Sequence, residues 1–141
     1  MDLQQAMAFI RTQHQGVLTT IRRDGRPQLS NIAYAVDADG VVRISVTASR
    51  AKTKNLARDP RASLYVCRDN FWAYAVVDGP ATLTPVAHDP NDATVDELVE
   101  LYRALAGEHD DWDEYRAAMV ADGRLVIRIT PAGAYGMLPN A

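Results

Sequence analysis

The sequence has little of what marks secreted or membrane proteins. Its 141 residues include one cysteine, Cys67, so no disulfide can form within the chain. No uncharged apolar run approaches the roughly 18 residues that a membrane-spanning helix needs. Residues 1–5 lack the basic and apolar regions of a signal peptide. We therefore expect a cytoplasmic protein with no membrane partner.

A strong net charge is also missing. The 18 acidic and 15 basic residues give a net charge of −3, which argues against a nucleic-acid partner. Basic residues nevertheless dominate residues 43–68, where Asp59 is the only acid, and acidic residues dominate residues 89–122. An acidic chain with one local basic segment indicates a site for a small anionic ligand.

The common catalytic and metal-binding motifs are absent as well. The sequence contains no GxGxxG loop after a strand, no P-loop, no CxxC pair and no HExxH helix. His14, His88 and His109 lie in polar contexts without the spacing of helical ligand pairs, so we expect no metal site. We interpret His109 as a solvated residue at a helix start, and Cys67 as a packed strand residue rather than a nucleophile.

What is present is the pattern of one mainly β domain over residues 1–141. After a first helix at residues 2–14, which Gly16 is expected to stop, alternating apolar residues predict strands at residues 16–22, 27–36, 41–47, 62–67, 72–77 and 124–130. The strand at residues 72–77 is expected to continue past Gly79-Pro80 into residues 81–86. Turn sequences join the first three strands into an antiparallel meander. Alternating strand–helix–strand units are absent, which excludes a Rossmann fold, and six or seven antiparallel strands with peripheral helices predict a small barrel.

The acidic segment at residues 89–123 is predicted to form two further helices. Capping boxes at residues 94–97 and 111–114 are expected to begin them, and Gly123 is expected to follow the second. We interpret these helices as a scaffold beside the functional site rather than as part of it.

The basic segment is predicted to form a helix at residues 49–58, with Ser49 as its N-cap. Arg50 and Lys52 fall in its first turn, where cations are unfavourable for the helix itself. A phosphate bound to the free N–H groups of the helix start would offset that cost. A solvated basic patch is the alternative, and the residues alone leave both interpretations open.

Several segments of the sequence resemble one family. Residues 16–20 (Gly-Val-Leu-Thr-Thr) and 24–31 (Asp-Gly-Arg-Pro-Gln-Leu-Ser-Asn) resemble the opening hairpin of the pyridoxamine 5′-phosphate oxidase-like split-barrel flavoproteins. Residues 50–62, which begin Arg-Ala-Lys-Thr-Lys-Asn-Leu, resemble the phosphate-binding segment of one branch, the deazaflavin (coenzyme F-420)-dependent oxidoreductases of actinobacteria. Further matches to that branch lie at residues 72–76, 101–103, 107–109 and 115–120, so the resemblance covers nearly the whole chain.

The resemblance implies an antiparallel split β-barrel of the FMN-binding type, with peripheral helices, that forms a homodimer with cofactor sites between the subunits. The implied cofactor residues are Arg50 and Lys52 at the phosphate, Ser45 and Thr47 near it, Gln28, Ser30, Asn31 and Ile32 along the flavin-like ring, and Trp72 and Tyr74 from the other subunit. From the residues alone, a place in the barrel core is favoured for Trp72 and Tyr74, because positions i and i+2 share one face of a strand. We expect the Trp72 face and the tail at residues 135–138 to form the dimer interface.

The implied activity is that of an oxidoreductase that uses reduced coenzyme F-420 to transfer hydride to an unsaturated or conjugated small molecule. Because the cofactor carries the difficult chemistry, such a protein needs no catalytic triad, and the sequence assigns no catalytic residue. Two alternatives remain open, namely an FMN-dependent oxidase or reductase of the same fold and a non-catalytic protein that binds flavin or haem.

Overall fold

A computed structural model describes residues 1–139 as a curled antiparallel sheet with four helices. In chain order the elements are α1 (Leu3–Ile10), β1 (Gln15–Ile21), β2 (Pro27–Ala33), β3 (Ala35–Val36), β4 (Val42–Thr47), α2 (Ala51–Arg58), β5 (Arg61–Cys67), β6 (Tyr74–Leu83), α3 (Ala93–Ala106), α4 (Trp112–Ala121), β7 (Arg124–Ile129) and β8 (Gly133–Met137). Within residues 1–139, no helix is long and apolar enough to cross a membrane.

The strands follow the order β2-β1-β5-β6-β7-β4-β3, and β8 pairs with β6 outside this path. The long strand β6 pairs with β5 and β8 through its first half, and with β7 through residues 81–83. Gly79 lies where the pairing changes, and a Cβ atom at this position would be 2.0 Å from the carbonyl oxygen of Thr130. The predicted antiparallel split barrel with peripheral helices is confirmed.

The inward-facing residues of the strands form the main core. Alternate positions are buried along β4 and β5, and the largest fully buried side chains include Leu18, Ile44 and Leu64. Helix α1 packs against this core, and its last residue, Ile10, accepts a hydrogen bond at 2.6 Å from the fully buried Tyr34 hydroxyl. Burial raises the pKa of Tyr34, so the hydroxyl remains a donor.

Helices α3 and α4 cover part of the outer face of the β4–β7 half of the sheet, around a second core that includes Leu98, Met119 and Val126. On this face Arg43 of β4 lies directly opposite Arg128 of β7. Glu97 of α3 separates the two like charges, because its carboxylate accepts hydrogen bonds from Arg43 Nε at 3.1 Å and Arg128 Nε at 2.9 Å. These two arginines also hold the pKa of Glu97 below its usual value, Arg128 contributing most.

Three of the predicted helix boundaries are wrong. Helix α1 ends at Ile10, and Gly16 lies inside β1, where a Cβ atom would be 2.6 Å from the Tyr65 carbonyl oxygen. Arg50, not Ser49, is the N-cap of α2, and it makes no side-chain capping bond. Helix α3 is capped by Asp92, whose carboxylate accepts from the Val95 N–H at 2.9 Å.

Two further predictions for this region are confirmed, and one is wrong. Asp111 caps α4 as predicted, and Gly123 follows the end of the helix with a positive φ of 64°. His109, however, is half-buried rather than fully solvated. Its ring packs 5.2 Å from that of Tyr102 and 5.6 Å from that of Trp112, and its Nδ1 accepts from the Asp111 N–H at 2.9 Å. Aromatic residues of α3 and α4 therefore pack against this histidine.

The strand bounds also differ in two places. The predicted strand at residues 27–36 is divided at Tyr34 into β2 and β3, because the chain turns there from one half of the sheet to the other. The predicted continuation of the strand at residues 72–77 past Gly79-Pro80 is confirmed as the single strand β6, but this strand begins at Tyr74 and ends at Leu83.

We expect Glu97→Gln to destabilise the protein by about 2–3 kcal/mol at pH 7, because Arg128 loses its carboxylate partner and Arg43 keeps only that of Asp37. Folding lowers the Glu97 pKa below its ordinary value of 4.5. The contribution of the ionised group is therefore complete above that pH and is lost as the pH falls through the folded-state pKa. Urea unfolding of both proteins at pH 7 and in mild acid measures the difference, which should shrink in acid.

Glu100→Gln is the matched control for this substitution. Glu100 lies one turn further along α3, and its exposed carboxylate pairs with Arg103, so its loss should cost less than about 1 kcal/mol. Equal losses for the two variants would show that the Glu97 network does not anchor α3.

Candidate functional site

The end of β4 and the start of α2 form a positively charged surface. Ser45 and Thr47 are half-buried on the outer face of β4, between inward-facing residues that are buried. The Thr53 hydroxyl in α2 donates to the Thr47 carbonyl oxygen at 2.8 Å, which fixes the first turn of the helix against the end of the strand. The structure therefore brings Ser45 and Thr47 to the same end of the barrel as Arg50 and Lys52.

The charges of Arg50 and Lys52 are not neutralised within this surface. Helix α2 has no acidic residue in its first turn, and none of the ion pairs among residues 1–139 involves Arg50 or Lys52. The pKa of Lys52 is lowered by partial burial and then by the charges of Arg50 and Arg124. Two cations at the positive end of a helix dipole form a local environment suited to an anion.

Arg124 is a member of this surface that sequence reasoning missed. It is the first residue of β7 and lies directly opposite Thr47. One of its Nη atoms is 3.5 Å from the Ser45 hydroxyl oxygen. The signal that could have found it is the register of β4 against β7, which joins segments far apart in the chain and is not encoded by local pattern.

The residues predicted to line a flavin-like ring lie on β2, but not all on one face. The side chains of Gln28, Ser30 and Ile32 are half-buried on one face, and that of Asn31 is exposed on the other. Gln28 accepts a hydrogen bond at 2.8 Å from the side chain of Asn55, a buried residue of α2. This bond connects the predicted ring-lining strand with the helix that carries the predicted phosphate residues.

The opposite face of β2 borders the largest open cavity, of about 660 Å³. Asn31, Tyr65, Cys67 and Phe71 are among the residues that line it. Cys67 is therefore at the surface of a cavity at the end of β5, half-buried rather than packed in the core. The cavity is large enough for a small planar molecule.

Trp72 and Tyr74 are not in the barrel core. Trp72 lies before β6 and is 69% exposed, and its ring packs edge-on at 5.2 Å against that of Phe71. Tyr74 is half-buried on the outer face of the sheet, where its ring is 5.6 Å from that of Tyr65. The core interpretation of these two aromatics is therefore wrong, and both rings remain available to a ligand or a partner.

The pyridoxamine 5′-phosphate oxidase family matches residues 3–138 of the sequence. This chain belongs to that family. Members share a fold that binds flavin-type cofactors, and the family contains oxidoreductases. The basic end of the barrel and the adjoining β2 strand are therefore the candidate cofactor site.

Solved structures with this fold differ in the ligands that their names state. One described as an F-420 reductase is 27% identical, with a TM-score of 0.67, and the match covers 86% of this chain and 89% of that one. A conserved hypothetical protein from Mycobacterium tuberculosis is 23% identical, with a TM-score of 0.71 and coverage of 95% and 82%. A pyridoxamine 5′-phosphate oxidase-related, FMN-binding protein from Nostoc punctiforme is 14% identical, with a TM-score of 0.64 and coverage of 92% and 76%.

We expect Lys52→Ala to weaken the binding of a phosphate-bearing flavin or deazaflavin. A charge-assisted contact contributes about 1.5–3 kcal/mol, which corresponds to roughly 10- to 150-fold in affinity. Fluorescence titration at two salt concentrations measures both the loss and the expected weaker salt dependence of the remaining binding.

Lys54→Ala is the control, because Lys54 is exposed on the same helix whereas Lys52 is half-buried. It should change the affinity far less. If the two substitutions weaken binding equally, the segment acts as a diffuse basic field and Lys52 is not a phosphate ligand.

Proposed function

We propose that this protein is an oxidoreductase that uses reduced coenzyme F-420 to transfer hydride to an unsaturated or conjugated small molecule. The observation that carries the proposal is the unneutralised pair Arg50 and Lys52 at the start of α2, in the segment that resembles the phosphate-binding segment of F-420-dependent enzymes. The 27% identity to a structure described as an F-420 reductase, over 86% of this chain, supports the same assignment.

The residues present fit a cofactor with an anionic end and a planar ring. Arg50 and Lys52 would hold the phosphate, with the hydroxyls of Ser45 and Thr47 beside it. Gln28, Ser30 and Ile32 would line the ring from the half-buried face of β2, and Asn31 would contribute through its backbone. When bound in its reduced form, the deazaflavin supplies the hydride, so the protein's own task is to bind and orient the reactants and to exclude water.

The substrate would occupy the part of the 660 Å³ cavity that Ile32 lines, because Ile32 is the residue that the cavity shares with the predicted ring-lining face of β2. Its walls include apolar and aromatic surface from Val17, Tyr65 and Phe71 as well as polar groups from Asn31 and Arg68. Such a mixture suits a flat conjugated molecule with one or two polar substituents.

The experiment that tests the cofactor is a titration of the purified protein with F-420 and with FMN, followed by turnover of reduced F-420 with enones and quinones. We expect tighter binding of F-420 and oxidation of its reduced form in the presence of a substrate. Tighter binding of FMN would favour the alternative suggested by the FMN-binding relative. Binding of either cofactor or of haem without any turnover would indicate a binding protein rather than an enzyme.

We further propose that two copies of the chain form the complete site, through the outer face of β1, β2, β5, β6 and β8. Strand pairing aligns side chains in a row across this face, in the order Asn31, Val17, Tyr65, Val76 and Tyr135. Large apolar side chains are exposed at the end of the row and beside it, with exposed fractions of 56% for Tyr135, 63% for Leu29 and 56% for Met137. Monomeric proteins rarely leave such a surface open to water, and an isologous dimer would cover it.

The dimer would also place Trp72 of one subunit near the cofactor site of the other, as the family resemblance implies. Trp72, Tyr135 and Met137 are exposed as that expectation requires. Leu138 of the predicted interface is different, because it packs partly buried against the main core.

Light scattering should give the mass of two chains for the native protein at micromolar concentration. The double substitution Leu29→Lys and Tyr135→Lys should give the mass of one chain, because four charges would be desolvated in a symmetric interface. Val86→Lys is the control, since Val86 is an exposed apolar residue outside the proposed interface. A native protein with the mass of one chain and intact cofactor binding would contradict the dimer.

A further inference from the structure

Two arginines of β7 lie four residues apart on the same outer face of the sheet, in contrasting surroundings. Arg128 faces Arg43, and both donate to the carboxylate of Glu97. Arg124 faces Thr47, and its one ion pair is to Asp122, with 3.9 Å between Arg124 Nε and the carboxylate oxygen. That separation is too long for a hydrogen bond. The fold therefore gives Arg128 a carboxylate at 2.9 Å, whereas Arg124 has the neutral Ser45 hydroxyl at 3.5 Å from one of its Nη atoms.

The guanidinium of Arg124 has a buried donor with nothing to bind. Within residues 1–139, Arg124 Nε is the one buried side-chain nitrogen or oxygen that lacks a hydrogen-bond partner. Burying a donor without an acceptor costs free energy, so such an atom in a native fold calls for an explanation. Tyr115, from the neighbouring helix α4, is not bonded to this nitrogen either, and its hydroxyl donates to the Leu98 carbonyl oxygen at 3.0 Å.

The Arg124 side chain as a whole is 33% exposed, so a ligand would meet its Nη groups rather than the buried Nε. We propose that Arg124 is a third cationic ligand of the cofactor's anionic end, and that with Arg50 and Lys52 it selects ligands that carry a phosphate there over ring systems that carry none. This inference rests on the proposed function and assigns a specificity residue to its site. Adjacent N–H groups of a guanidinium match two phosphate oxygens, which a lysine cannot do.

This role has a consequence for the protein without ligand. Arg50, Lys52 and Arg124 repel one another, and the charges of Arg50 and Arg124 both contribute to lowering the pKa of Lys52. Removing Arg124 should therefore stabilise the ligand-free protein while weakening its binding of the ligand. A structural arginine would behave in the opposite way, since its removal would destabilise the fold and leave affinity unchanged.

The experiment compares Arg124→Gln with Arg128→Gln, which removes the same group from the same face of the same strand. Thermal unfolding is measured without ligand, and binding is measured with F-420, FMN, riboflavin and inorganic phosphate. We expect Arg124→Gln to raise the melting temperature of the free protein by about 2–5 °C. It should weaken the binding of F-420 and FMN by roughly 10- to 100-fold.

Riboflavin, which has no phosphate, should not distinguish Arg124→Gln from the native protein. Arg128→Gln should lower the melting temperature and leave the affinities unchanged. Arg124→Lys keeps the charge without the fork and should lie between the glutamine variant and the native protein.

Unchanged affinity for F-420 and FMN in Arg124→Gln would overturn the inference and leave the proposed function standing. A lowered melting temperature of its ligand-free form, or an equal loss of riboflavin binding, would also overturn it, because Arg124 would then be structural. If neither cofactor binds the native protein but inorganic phosphate stabilises it through Arg124, the anion site stands and the proposed function fails. If inorganic phosphate, F-420 and FMN all leave the melting temperature of the native protein unchanged, the anion site itself is overturned.

Discussion

The two halves of the barrel are held together by one strand, β6, and its geometry depends on Gly79. One edge of the strand pairs with β5 along residues 74–80, while the other edge pairs with β8 up to Asp78 and with β7 from Ala81. Thr130 approaches Gly79 so closely that no side chain fits between them. Because β7 in turn pairs with β4, β6 connects the sheet half that carries β2 with the half that carries Arg124 and Thr47.

The outer face of the β4–β7 half shows how one fold uses the same residue type in two ways. At one end the opposed residues Arg43 and Arg128 are bridged by Glu97, and the resulting network attaches α3 to the sheet. At the other end Arg124, Arg50 and Lys52 lie together, and the one ion pair among them within residues 1–139 is the 3.9 Å contact of Arg124 with Asp122. This end is the one to which we assign the proposed anion site, because uncompensated charge costs stability unless a ligand offsets it.

Local pattern was sufficient to predict most elements of the fold, because alternation and turn sequences report which face of a strand is buried. It failed where long-range contacts decide the outcome. Gly16 reads as a helix stop by composition, yet it is glycine because Tyr65 passes close to it. In the site, Arg50 and Lys52 were predictable from their adjacency in one helix. The place of Arg124 in the site was not predictable, because only the register of β7 against β4 brings it opposite Thr47. The side chain of Asn31 points away from those of its neighbours, because successive side chains of a strand such as β2 lie on opposite faces.

The pairing of β4 with β7, which completes the proposed anion site, also bears on how fast the fold forms. Ser45 and Arg124 are 79 residues apart along the chain, and closing a loop of that length is an entropic cost that local elements do not incur. The hairpin of β1 and β2 can form early, but the three cations meet only when β7 has docked on β4. A phosphate bound by all three, as we propose, would therefore require β4 and β7 to be paired.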